Sequence, residues 1–424
     1  MQQAKIGIGD IGIYVPPSRM RLDRLMESRS ITHPELEAKL NRAIQKTGQT
    51  AFRFPSPWED TASLAANAAV DVLDRLQRQE SALLRYLAIG TETAVDHSKA
   101  ASSYVQGMLQ KAGYPLPTNL TTFETKHACA GGTAALLSTA AMLSYAGRKG
   151  ERALAISSDI ARYEAPSTAE ITQGAGAVAL LIEKNPRLLE LDLSLQGFYS
   201  SDVDDFFRPL ESSTARVKGR YSVECYQDAL EKAMEDYAQR AGLGLRECME
   251  SADYLAYHVP FVTMPEMAAR KMLRGACGMT GEEVDALFAR TAFLDSMYLS
   301  RQFGNLYTGS LYAYLAALLK REYERIGTDI IGKKVLIASY GSGNTMIVFS
   351  ATIAPQAGEV ISAWNLQRFE QEAKEASFDE YLQWLGRPKH TGTWKNLLEG
   401  AHPTPGQFYL KDFDENDLRI YDRG

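Results

Sequence analysis

Cysteine is scarce in this chain: four residues in 424, at Cys129, Cys225, Cys248 and Cys277, with no CxxC pair and no Cys/His cluster. That pattern excludes a disulfide scaffold and a structural zinc site and points to a reducing, cytoplasmic compartment. Basic blocks are missing too. Lys and Arg number 46 against 52 Asp and Glu, for a formal charge of −6, a poor balance for gripping nucleic acid. No apolar run approaches the roughly 18–20 residues that a membrane-spanning helix needs. The opening MQQAKIGIGDIGIYVPP lacks the basic, apolar and small-residue succession of a secretory signal. What the chain does have is 45% hydrophobic and 23% charged residues, the composition of a globular protein. Its length suits two or three ordinary domains or one large duplicated one.

Short apolar runs at Tyr86–Gly90, Ala153–Ser157, Ala177–Ile182, Tyr254–His258, Val335–Ser339 and Met346–Phe349 predict parallel strands covered on both faces. Helical stretches at Thr61–Leu76, Ser102–Lys111, Gly132–Tyr145 and Tyr307–Lys320 alternate with them, which makes the class α/β. The chain also resembles itself. RYLAIG from Arg85 matches DYLAYH from Asp253, and each half later carries a glycine pair, Gly174/Gly176 and Gly341/Gly343. From Ala88 to Gly174 is 86 positions and from Ala256 to Gly341 is 85, so a duplicated unit is expected. The join falls near Asn185–Leu193, giving halves over 1–188 and 189–360. The remainder, 361–424, holds three of the four Trp and reads as an appended extension with helical runs such as Phe369–Ala376. GRPKHTG and AHPTPG are turn-rich connectors within it.

Cys129 sits between an extended segment and a Gly/Ala-rich helix, in HACAGGTAALL. A thiol at a helix N-terminus feels the positive end of the dipole, which favours thiolate; a buried structural cysteine is the competing reading. His258 ends a strand ahead of a Pro-containing loop, where an α/β sheet presents functional groups, or else is a satisfied core histidine. Glu92 follows the matching strand of the first half, as an acid or as a helix-capping carboxylate. Asn305 opens a helix in GNLYTGS, as a cap or as a polar contact. Ser342, in the Tyr340–Gly343 turn, stands where backbone N–H groups could meet an oxyanion. A cysteine able to hold an acyl thioester, a carboxylate able to deprotonate beside a thioester carbonyl, and His/Asn to polarise a second carbonyl together describe carbon–carbon bond formation between two thioesters.

The ordered segments GTETAVDHSKAA, HACAGGTAALL, SSDIARY, ITQGAGAVALLIEKNP, DVDDFFRP, YSVECY, YHVPF, GNLYTGSLY, SYGSG and FYLKDFDENDLRIYDR resemble the 3-hydroxy-3-methylglutaryl-CoA synthases of the thiolase superfamily over nearly the whole chain. The resemblance implies a thiolase-like fold: two βαβαβαββ halves in αβαβα layers, with a C-terminal helical extension. It implies Cys129 as acetyl acceptor, Glu92 as general acid/base, and His258 and Asn305 on the acetoacetyl carbonyl. The Cys129 and Ser342 N–H groups would form the oxyanion hole, and Tyr163, Thr172, Ser222 and Phe261 would line the substrate path. No metal or cofactor beyond the acetyl-CoA and acetoacetyl-CoA substrates is implied, and a homodimer is expected. Two departures stand out. Ala130 replaces the family's Tyr after the nucleophile, leaving room for a donor larger than acetyl. Thr263 and Met267 replace two lysines near CoA, so Arg270 and Lys271 become the nearest cations for substrate binding. The second departure resembles the branch that takes acetoacetyl groups from an acyl carrier protein in polyketide β-branching. A Claisen-type ketoacyl synthase and a non-catalytic partner subunit are further alternatives; Glu92 argues against the first, and retention of Cys129, Glu92 and His258 against the second.

Overall fold

The structure is a computed structural model that describes residues 5–386, Leu398 and 402–424. Nine strands build its main sheet: β1 (Ile6–Tyr14), β2 (Leu84–Gly90), β3 (Thr121–Thr125), β4 (Arg152–Ala161), β5 (Gly174–Lys184), β6 (Leu189–Ser200), β7 (Tyr254–Tyr257), β8 (Lys334–Gly341) and β9 (Thr345–Ile353). Their order is β7-β8-β9-β6-β1-β5-β4-β2-β3. From the centre outward, β1-β5-β4-β2 in one half mirrors β6-β9-β8-β7 in the other, and β3 extends the first half alone. The halves touch in the sheet through two residue pairs, Gly7 with Glu190 and Ile8 with Leu189.

All six predicted apolar runs are strands, with His258 lying just past the end of β7. Their direction is a correction. β2 runs parallel to β3 and β4, and β7 to β8, but β5 and β9 are antiparallel to both of their neighbours. Continuous apolar composition reports cover on both faces and carries no direction.

Seven helices matter for the site: α1 (Thr61–Leu73), α2 (Ala101–Lys111), α3 (Gly131–Ala146), α4 (Gly219–Arg240), α5 (Thr263–Gly275), α6 (Ser310–Ile326) and α7 (Phe378–Leu385). In α6 every residue from Ser310 to Leu319 is buried, as expected of a helix with protein on all sides. Together with α3 it packs in a core shared by both halves. The buried hydroxyl of Thr133 on α3 meets Tyr312 on α6 at 2.6 Å and Ser339 on β8 at 2.7 Å. On the outer side, α1 and α2 cover the first half and form a second core.

The C-terminal extension is less helical than expected. The helix of Arg368–Gln371 stops early, and Lys374–Glu375 pairs in parallel with Ser18–Arg19, where the Arg19 guanidinium gathers Glu370 and Glu375. The chain ends in an antiparallel hairpin, Phe408–Phe413 with Arg419–Arg423. Phe408, Leu410, Phe413 and Tyr421 bury into the α1/α2 core. Burial along FYLKDF alternates from Phe408 to Leu410 and resumes at Phe413, beyond a register irregularity between Leu410 and Asp412 that returns the side chains to that core. The GRPKHTG connector lies, apart from Gly386, outside the described residues.

Candidate active site

Cys129 follows an abrupt turn. Ala128 holds φ at +41°, a left-handed conformation that non-glycine residues avoid, and α3 begins two residues after the thiol. Cys129 is 8% exposed, and its Sγ donates to Glu92 Oε1 at 3.2 Å. Burial, then the neighbouring Glu92 carboxylate, push the thiol well above its ordinary pKa. This corrects the expected thiolate: in a water-excluded site, with a carboxylate in contact, the helix start does not offset the lost hydration. The resting group is a thiol with the Glu92 carboxyl group already in hydrogen-bond reach.

Glu92 lies in the loop between β2 and α2, nine residues ahead of the helix, so it is not a cap. Burial, and then the charge of Asp159, raise its pKa to about 8, while Arg208 opposes the shift. Arg208 Nη2 stands 3.5 Å from Glu92 Oε2. Asp159, fully buried on β4, accepts from Thr91 Oγ1 (2.8 Å), the Glu92 N–H (2.9 Å) and Thr93 Oγ1 (2.7 Å). Its other oxygen accepts from the Thr308 N–H at 3.1 Å and from the Thr308 hydroxyl. The Glu92 loop is thereby tied to the second half just ahead of α6.

From the second half, His258 is 1% exposed, and burial lowers its pKa to about 3, so the ring is neutral. Its Nε2 is buried with no hydrogen-bond partner on the wall of a cavity of about 520 Å3. Asn305 combines both readings offered by its sequence position. Its Oδ1 accepts from the Tyr307 N–H (2.8 Å) and the Ser310 hydroxyl (3.0 Å), capping the turn into α6. Its Nδ2 donates to Tyr163 Oη at 3.5 Å.

Ser342 lies in the β8–β9 turn. A Cβ at Gly341 would fall 2.3 Å from the His127 carbonyl oxygen and 2.8 Å from the Ala130 nitrogen, so glycine lets this turn press against the Cys129 loop. Asp205, also fully buried, braces the turn by accepting from the Tyr340 hydroxyl and the Gly343 N–H, both at 2.9 Å.

One cavity therefore collects Cys129, His258, Asn305 and Ser342 with Tyr163, Thr172, Ser222 and Phe261; Glu92 stands behind the thiol. Arg270 and Lys271 do not border it. Arg270 Nε pairs with Glu266 at 2.8 Å and its Nη1 with Asp285 at 2.6 Å, while Lys271 is exposed on α5. Helical spacing sets Glu266 one turn before Arg270 and holds the cation on the outer face. Asp159, Arg208 and Asp205 are site residues that the sequence reading did not assign. A lone Asp inside the apolar strand ALAISSDIA was the available signal for the first.

A larger cleft, about 620 Å3, lies beside Trp364 and Arg368; it contains none of the reactive side chains. Among the described residues, no group of three His, Cys, Asp or Glu could hold a metal ion, and no helix is long and apolar enough to cross a membrane.

Comparison with known proteins places this geometry. The family described as hydroxymethylglutaryl-coenzyme A synthase N terminal matches residues 3–186, and its C-terminal counterpart matches 189–276 and 281–424. Hydroxymethylglutaryl-CoA synthase of Enterococcus faecalis is 32% identical over 350 residues, covering 82% of this chain and 83% of that protein. Hydroxymethylglutaryl-CoA synthase A of Dictyostelium discoideum is 26% identical over 455 residues, covering 99% and 90%. Among solved structures, MvaS in complex with 3-hydroxy-3-methylglutaryl coenzyme A superposes over 100% of both chains with TM-score 0.85 and 31% identity. The HMG synthase of the curacin biosynthetic pathway, in complex with apo donor-ACP, covers 99% of this chain and 100% of its own with TM-score 0.82 and 26% identity. The α/β fold is thiolase-like, the protein is a C–C bond-forming acyl-thioester enzyme, and the chain belongs to the hydroxymethylglutaryl-coenzyme A synthase family.

Proposed function

We propose that the protein condenses an acetyl group held on Cys129 with acetoacetyl-CoA, then hydrolyses the enzyme thioester to give 3-hydroxy-3-methylglutaryl-CoA, free CoA and a proton. The observation that carries this reading is the 3.2 Å Cys129–Glu92 contact at the cavity that His258 and Asn305 line from the other half.

In the first step the thiol attacks the acetyl-CoA carbonyl. The Cys129 proton leaves toward Glu92, the new C–S bond forms and CoA departs with a proton. A carboxylate raised to about 8 suits proton abstraction near neutral pH, because a stronger base retains useful affinity for a carbon-bound proton. Glu92 then takes a proton from the acetyl methyl, and the enolate oxygen is held by the N–H groups of Cys129 and Ser342. The methyl carbon attacks the ketone of the acetoacetyl thioester, whose oxygen lies against neutral His258 and the Asn305 amide, and the resulting alkoxide takes the proton held by Glu92 to become the 3-hydroxyl. Water then cleaves the Cys129 thioester, leaving a carboxylate. Acyl-CoA thioesters are the only reactants this chemistry needs besides water.

An acceptor delivered by an acyl carrier protein is the second reading. The engagement of Arg270 with two carboxylates, and its absence from the cavity wall, favour it. Assembly as a homodimer in the cytoplasm belongs to the same proposal. It is supported by β3, a sheet-edge strand whose outer side is open to a second copy.

Product analysis with acetyl-CoA plus acetoacetyl-CoA, beside acetoacetyl-carrier protein, tests both readings; turnover only with the carrier replaces the first by the second. Intact mass should show acetyl on Cys129 in the wild type and, formed more slowly, in Glu92→Gln, with condensation abolished in the variant. Product formation by Glu92→Gln at the wild-type rate would overturn the mechanism.

A further inference from the structure

The back of the substrate cavity is held by a residue of the C-terminal extension. Residues 162–173, between β4 and β5, form one cavity wall, presenting Tyr163, Ala169 and Thr172 inward. Glu170 and Gln173 of the same segment point the other way and are fully buried. Gln173 Oε1 accepts the Tyr163 N–H at 3.1 Å, closing the segment on itself. Gln173 Nε2 donates to the Tyr381 hydroxyl of α7 at 2.9 Å, and that hydroxyl donates to Glu170 Oε2 at 2.9 Å. Arg29 grips the same carboxylate with Nε at 3.0 Å and Nη2 at 2.8 Å. The Tyr381 ring packs edge-on against Phe52 and Phe54 at 5.6 and 6.0 Å.

We propose that Tyr381 is a positioning residue for the acceptor side of the cavity, acting through Gln173 on Tyr163 and, through the wall, on Asn305. The inference rests on the reaction proposed above and concerns a residue that does not line the cavity. The hydroxyl uses its donor and its acceptor capacity at once, on the two side chains that set the wall's shape. Removing it leaves a buried amide N–H and a carboxylate oxygen each short of a partner, while the ring continues to fill the core.

The wall in turn reaches Asn305 twice. The Asn305 N–H donates to the Thr172 carbonyl at 3.3 Å and its side chain donates to Tyr163. A Cβ at Gly174 would stand 2.5 Å from the Asn305 carbonyl oxygen, so wall and Asn305 move together. The Cys129 loop shares a hydrophobic cluster with Tyr163 but is held in addition by α3 and the β8–β9 turn.

Tyr381→Phe is therefore expected to raise KM for the acetoacetyl acceptor about tenfold, while acetylation of Cys129 stays within about twofold of wild type. Gln173→Ala should do the same, and the double variant should lose less than the sum of the two, because both remove the Gln173–Tyr381 bond. Hydrogen exchange adds a readout independent of the reaction: peptides covering 163–172 should exchange faster in Tyr381→Phe, with the 129–146 peptide unchanged. Parallel loss of acetylation and condensation, no change in either, additive losses in the double variant, or unaltered exchange at 163–172 would each overturn the proposal. If wild-type Cys129 takes no acetyl from acetyl-CoA, the proposed reaction falls, and the exchange measurement alone decides the role of Tyr381.

Discussion

Among the described residues Arg208 is the one cation set against Glu92, and replacing it with Gln tests whether the carboxylate is the base whose ionisation governs condensation. Two unit charges about 4 Å apart interact by about 4 kcal/mol at the effective dielectric of ~20 that describes protein sites, which sets a ceiling. Fully exposed pairs return less than about 1 kcal/mol. Here the side chains are 16% and 7% exposed, and the contact is a single one at 3.5 Å rather than a bidentate pair. A value of about 2 kcal/mol lies between those limits. At about 1.4 kcal/mol per pH unit, this moves the Glu92 pKa by about 1.5 pH units. The sign is upward: without the guanidinium, the buried anion loses its counter-charge. The rising limb of condensation kcat/KM, near pH 8 in the wild type, should move to about 9.5, so the rate at pH 7 falls about 30-fold. Arg208→Lys keeps the charge and should return much of the shift. Initial rates from pH 6 to 10, with acetylation of Cys129 followed separately by mass, give the profile. A limb that stays near 8 in Arg208→Gln would refute the assignment of the limb to Glu92, since nothing else this close to the carboxylate changes.

Glu92 also makes the free enzyme's stability depend on pH. Its folded pKa of about 8 lies above the ordinary 4.5, so its contribution is full below pH 4.5 and is lost progressively as pH rises through 8, by at most about 5 kcal/mol. Glu92→Gln should therefore gain melting temperature over wild type at pH 9 and not at pH 4, as scanning fluorimetry would show. Asp159→Asn, which loses one of two accepting oxygens in a five-bond site, should lower stability by about 2–4 kcal/mol in urea unfolding. Gly341→Ala should slow Cys129 acetylation at least about tenfold in single-turnover mass measurements, because its methyl displaces the turn from the nucleophile loop.

The parts of the fold legible in sequence were those written locally. The strand runs, the four helices and the correspondence of RYLAIG with DYLAYH each need only neighbouring residues. Cys129, His258, Asn305 and Ser342, which the fold brings to one cavity, stand out in sequence because strand ends and helix starts mark them. What escaped depends on distant partners. Asp159 meets Thr91 and Thr308 across 68 and 149 positions, and Arg208 meets Glu92 across 116. The thiolate expectation failed for a related reason: a helix start is visible in sequence, whereas the burial and the carboxylate that reverse its effect are supplied by the rest of the chain. Arg270 failed differently, since Glu266 stands four residues before it and the helical pair could have been read directly.

The terminal hairpin has a consequence for how the chain reaches this structure. Tyr421 donates to Asp60, the residue that caps α1, at 2.7 Å, and the Phe408 N–H donates to Asn67 on α1 at 2.8 Å. Synthesis proceeds from the N-terminus, so the first half leaves the ribosome with the outer side of α1 and α2 uncovered. It stays so until residues 408–423 emerge. The first half is thus completed by a contact more than 300 residues away in sequence, and late, non-local closure of this kind slows folding and prolongs exposure of apolar surface.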